Sequence, residues 1–102
     1  MTALVEDTAQ RTLVRLVGAA DVSSAAELRQ TLSEAIQSGR DIEISLSGLT
    51  ECDVTTGQLL WSTAQAARAA GLRFTLSDPP PDEVWSALHN AGIELQNIFG
   101  PA

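Results

Sequence analysis

The chain has 102 residues, 44% of them hydrophobic, with six basic and 13 acidic side chains for a net charge of -7. That size suits one domain spanning residues 1–102 with a real apolar core, and the acidity argues against nucleic-acid backbones, which clustered Lys and Arg bind. No apolar run approaches the roughly 20 residues of a membrane span, MTALVEDTAQR lacks the basic and apolar parts of a secretory signal, and a single cysteine makes no internal disulfide, so a cytoplasmic protein without membrane insertion is expected.

Ala3 to Glu6 reads as a short edge strand, and polar Thr8 to Arg11 as a turn. Leu13, Val14, Leu16 and Val17 form a second strand closed by Gly18, so the two make a hairpin. Arg11 and Arg15 share one face by period-two spacing, which marks that face as solvated. Ser24 and Glu27 have capping-box spacing at a helix start. Ala25, Leu28, Leu32, Ala35 and Ile36 then recur at helical spacing, and Gly39 ends the helix.

Ile42, Ile44 and Leu46 alternate with polar residues as a strand that Gly48 ends. A helical pattern begins within LTECDVTTGQLL and places Leu60, Ala64 and Ala67 on a face with Thr56 and Thr63, flanked by Leu59. Such small residues imply close approach to a sheet, and Gly71 stops the helix. Leu72, Phe74 and Leu76 make another strand. After Pro79 to Pro81 a third helix, about Pro81 to Asn90, carries Val84, Leu88 and Ala91 on one side and ends at Gly92. Ile93, Leu95, Ile98 and Phe99 belong to a short packed tail, and Gly100 to Ala102 should be loose. The order β-β-α-β-α-β-α predicts an α/β fold with a mixed sheet and helices largely on one face.

Little in this chain resembles catalytic machinery. His89 stands alone inside a helix, with no second His or Cys at metal-ligand spacing. Cys52 has an acid, Asp53, as its next neighbour, which is the wrong setting for a nucleophilic thiolate. The loop from Gly48 to Gly57 lacks the Lys-Ser/Thr ending of a phosphate-binding loop. Trp61 and Trp85 read as core or partner-contact residues. A non-enzyme with no metal and no cofactor is expected.

The stretch from Leu49 to Leu60 is where strand passes to helix, and Asp53 or Thr55 is suited to cap that helix. Its surroundings supply a further reading. LVRLVGAAD, AELRQTLSEAIQSG and IEISLSGLTECDVTTGQLLWSTAQAARAAGLRFTLSDPPPDEVWSALHNAGI follow one another from about Leu13 to Ile93. In this order of signposts the chain resembles the STAS family, the anti-sigma-factor antagonists and their relatives. The resemblance implies one STAS-like domain with a mixed sheet of four to five strands and helices mainly on one face.

In that family the loop after the third strand commonly reads Asp-Ser-Ser/Ala-Gly-Leu, and the residue after Asp is phosphorylated by a kinase that doubles as the anti-sigma factor. Aligned without a gap, Asp53 is kept, Val54 falls on the phosphorylated position, Thr55 on the second Ser/Ala and Thr56 on the Gly. With one inserted residue, Thr55-Thr56-Gly57 matches Ser-Ser-Gly and Thr55 becomes the phosphosite. The resemblance thus implies a bacterial signalling module that binds a regulatory kinase, anti-sigma factor or sensor. It would dock through the 53–61 loop and helix: Asp53, Val54, Thr55, Thr56, Gly57, Gln58 and Trp61. Thr55 is the first candidate for modification and Thr56 the second. The other role the family offers is an unphosphorylated subunit of an ABC transporter that moves phospholipids, which suits Val54.

Overall fold

A computed structural model describes residues 1–99. Strands β1 (Thr2–Asp7), β2 (Arg11–Ala20), β3 (Asp41–Cys52) and β4 (Phe74–Asp78) form one sheet in the order β1-β2-β3-β4. β1 runs antiparallel to β2, whereas β2, β3 and β4 are parallel, so the sheet is mixed as expected. Helices α1 (Ala25–Gln37) and α2 (Val54–Ala69) connect the parallel strands; α3 (Asp82–Asn90) and the short α4 (Leu95–Ile98) follow β4.

Period-two alternation decides which face the helices cover. Val14 and Leu16 of β2, Ile42, Ile44 and Leu46 of β3 and Phe74 of β4 are buried, while Arg15 and Val17 are exposed on the other side. Leu28, Leu32 and Ala35 of α1, Leu60, Ala64 and Ala67 of α2, and Val84 and Leu88 of α3 complete the same core. Ala64 and Ala67 of α2 are fully buried, as their small size suggested. The tail closes the layer: Phe99 stacks on Phe74 with ring centroids 5.3 Å apart. Arg68 of α2 donates to the Ile98 carbonyl at 2.8 Å, satisfying an end carbonyl of α4.

Several local expectations are corrected. β2 does not stop at Gly18, which takes φ +94 and absorbs a register shift beside Ala19 while pairing with β3 continues. β3 runs through Gly48 as well. A Cβ there would stand 3.0 Å from Val17 Cγ2 and 3.1 Å from the Leu16 carbonyl, so this glycine permits close approach of two strands. The Ser24–Glu27 capping box is not made. Ser24 ends a 3-10 turn over Val22–Ser24, and the cap is Asp21, whose carboxylate accepts the Ser23 N–H at 3.0 Å. Ala91 lies exposed beyond the end of α3, where Gly92 (φ +86) turns the chain. The expectation for residues 100–102 lies outside the described residues.

Candidate functional site

The junction between β3 and α2 contains one residue, Asp53. Its extended backbone (φ -86, ψ 172) leaves the strand, and its side chain caps the helix by accepting the Thr56 N–H at 3.0 Å. The same Oδ1 accepts the Thr56 hydroxyl at 3.2 Å. The Asp53 N–H donates to the Ala20 carbonyl at 3.0 Å and so ties the junction to the end of β2. Of the two residues suited to cap, Asp53 does so. The helix therefore begins at Val54, and the expected docking loop is a strand end joined directly to a first helical turn.

That starting point sets which way each residue faces. Val54, Gln58 and Trp61 stand at helical spacing along the solvent side; Val54 is 42% and Trp61 43% exposed. Thr55 is half-buried beside them. Thr56 is only 1% exposed and points inward with Leu60 and Thr63. Gly57 is buried too: a Cβ there would come within 3.1 Å of Ile93 and 3.2 Å of Leu88. The sequence grouped seven residues here; the structure puts Val54, Gln58 and Trp61 outward, Thr55 and Asp53 partly so, and Thr56 and Gly57 in the packed interior.

Beside the junction lies an open cleft of ≈ 390 Å³ between the ends of β2 and β3 and the start of α3. Ala20, Val84 and Ala87 contribute apolar lining, and Asp21, Glu51, Asp53 and Glu83 bring carboxylates. The sequence reading did not single out Asp21, Glu51 or Glu83 for function. The available signal was topological: the carboxyl ends of parallel strands are where open α/β sheets form crevices.

Burial pushes the Cys52 thiol up to about 11, the Asp53 charge adds to the rise, and a Thr56 hydrogen bond opposes it. Its thiol therefore stays protonated at neutral pH and is a poor nucleophile. His89 is exposed at the end of α3, with Nδ1 2.7 Å from Glu94 Oε1. Among the described residues no three His, Cys, Asp or Glu side chains are grouped to hold a metal ion, and no helix is long and apolar enough to cross a membrane. The site's features are a capped helix start, an exposed tryptophan stripe and an acidic cleft.

Comparison with known proteins places the fold. A family model described as "Mlab, STAS domain" matches residues 3–95. No curated protein matches the chain. Among solved structures, the anti-sigma factor antagonist SpoIIAA in its unphosphorylated form is 24% identical with a TM-score of 0.69, over 80% of this chain and 77% of that one. A candidate anti-sigma factor antagonist from Thermotoga maritima is 11% identical with a TM-score of 0.75, over 92% and 81%. A variant of RsbS from Moorella thermoacetica is 18% identical with a TM-score of 0.73, over 97% and 85%. At these identities the likeness is one of fold.

Proposed function

The chain belongs to the STAS domain family, and we propose that it is a non-catalytic protein-interaction module in bacterial signalling, of the anti-sigma-factor-antagonist kind. The observation that carries this reading is the stripe Val54, Gln58 and Trp61 on α2, half-open to solvent beside a capped helix start. A large aromatic held near the surface on a rigid helix is the residue type that anchors protein interfaces. The partner is a regulatory kinase, anti-sigma factor or sensor in the cytoplasm.

Thr55 is the residue we assign to covalent control. It sits in the first turn of α2 and is half-buried, whereas the Thr56 hydroxyl is enclosed and engaged with Asp53. A partner kinase would transfer the γ-phosphoryl group of ATP to the Thr55 hydroxyl, releasing ADP and a proton. The product would stand at a helix N-terminus, where the dipole favours an anion. It would add about -1.5 to -2 charge beside the exposed Val54 and Trp61, and the cost of desolvating that charge would oppose docking through the stripe.

The test is recovery of the partner from the native host, followed by incubation with that partner and ATP and mass spectrometry of the chain. Phosphate on Thr55 and weaker binding afterwards are expected. A partner kinase that binds but leaves Thr55 and Thr56 unmodified removes the switch and leaves a binding module. The transporter-subunit role is favoured by Val54 at the first position of α2, a residue that takes no phosphate. Recovery of a transport ATPase in the same experiment would establish it instead.

A further inference from the structure

The two edges of the sheet differ. β4 is five residues long, its pairing with β3 slips between Ile44 and Ser45, and Pro79 to Pro81 follow it. Its last residues are turned back on β3: Ser77 donates to the Ile44 carbonyl at 3.3 Å, and Ser45 donates to the Asp78 carboxylate at 2.9 Å. These features discourage a further strand.

β1 has none of them. All six of its residues pair with β2 without a register shift. It contains no proline, and the chain has no lysine at all. Among the described residues its outer side is a row of backbone donors and acceptors without a neighbouring strand. At its centre Leu4 and Val5 are each 49% exposed. Leu4 lies opposite exposed Arg15 and Val5 opposite buried Val14, so they stand on opposite faces of the sheet. The two acids of the strand are compensated from within the chain. Glu6 lies 3.9 Å from Arg15, and Asp7 lies 3.0 Å from Arg40.

We propose that β1 is a homodimer edge, at which two copies of the chain pair β1 to β1, antiparallel about a two-fold axis, into one continuous sheet. The occupant is a second copy because the strand is complementary to itself. Residues opposite each other in an antiparallel pair share a face, so a two-fold centred on Leu4 sets Leu4 against its mate, Ala3 against Val5 and Thr2 against Glu6. No acid meets an acid, and each acid brings its own arginine, so chains of net charge -7 can bring these edges together. Because the β4 edge is closed, the pairing ends at two copies and does not propagate into a fibre.

Light scattering of the full chain from micromolar to millimolar concentration tests this. The mass should rise to twice the 10.8 kDa of one chain, and L4K, which places a charge at the centre of the edge, should hold it at that of one chain. L4C in a C52S background is the second reading, and it stands even where L4K unfolds. Opposed positions in an antiparallel pair have Cβ atoms about 4.5–5.5 Å apart, so mild oxidation should cross-link two chains, while S77C on the closed edge should not. A chain that stays monomeric at millimolar concentration overturns the proposal. So does a dimer that L4K leaves intact or that L4C fails to cross-link.

Discussion

One carboxylate oxygen of Asp53 holds Thr56 twice, accepting its backbone N–H at 3.0 Å and its hydroxyl at 3.2 Å. The cap of α2 and the satisfaction of a buried hydroxyl therefore rest on the same atom. Removing it with D53A forfeits the cap, about 1 kcal/mol, and leaves a buried polar group without its acceptor, about 1–3 kcal/mol. Urea unfolding should show D53A less stable by about 2–4 kcal/mol. D53N, which caps as well as Asp, should stay near the wild type.

Gly57 separates two effects of opposite sign. In a helix interior Ala is favoured over Gly by about 1 kcal/mol, but a Cβ at Gly57 presses on Ile93 at 3.1 Å and Leu88 at 3.2 Å. For G57A the two offset, and unfolding should place it within about 1 kcal/mol of wild type. G57V adds further carbons where these side chains already fill the space. It should lose about 1–3 kcal/mol.

Stability should fall at both ends of the pH range. Asp7 is held below the ordinary 3.8 by the Thr12 hydroxyl and then by Arg40, and Asp21 by the Ser23 hydroxyl. These bonds contribute fully above that value and are lost as pH falls through the lower folded values. D7N and D21N should flatten the acid limb of a melting-temperature profile. The Cys52 thiol works at the other end. It ionises near 9.0 when unfolded and near 11 when folded, so the unfolded chain releases its proton first. The stability that this thiol contributes is unchanged well below pH 9 and declines as pH rises from about 9 toward 11. C52A should remove that decline, and native Cys52 should react slowly with thiol reagents at neutral pH.

Trp61 should matter to binding far more than to folding. Its ring is 43% exposed, and W61A should weaken the recovered partner by at least about 2 kcal/mol, roughly thirtyfold. V54E should also weaken binding, because it places a charge in the same stripe. Q65A, exposed further along α2, serves as the control and should bind as wild type. Calorimetric titration of the three variants decides the point. Equal affinity for W61A and wild type would remove α2 as the docking surface.

Element order and helix ends could be read from the chain because they depend on near neighbours. Alternation in Ile42, Ile44 and Leu46, helical spacing in Leu28 and Leu32, and positive φ at Gly39, Gly71 and Gly92 are local matters, and the structure has each where the pattern put it. So was the strand-to-helix junction, since Asp53 lies where apolar alternation gives way to helical spacing. Strand ends were less legible. Gly18 and Gly48 look like stops in the sequence, but a strand continues wherever its neighbour offers hydrogen bonds, and β2 and β3 do so for each other as far as Ala20 and Cys52.

The sequence by itself therefore determined the α/β order, the mixed sheet and a polar strand-to-helix junction with hydroxyls in it. Helical spacing already put Thr56 on the apolar face; tertiary structure decided that its hydroxyl is enclosed against Asp53 and that Thr55 is left half-buried. Helical phase follows from the starting residue, and Asp53 sets that start by bonding Ala20 across the sheet and Thr56 along the helix. One residue of phase turns a side chain by about 100°, which is why Thr56 is enclosed while Val54 and Trp61 reach solvent. The acidic cleft was decided in the same way. Asp21, Glu51 and Glu83 are far apart in the chain and meet only because parallel strands end side by side beneath α3.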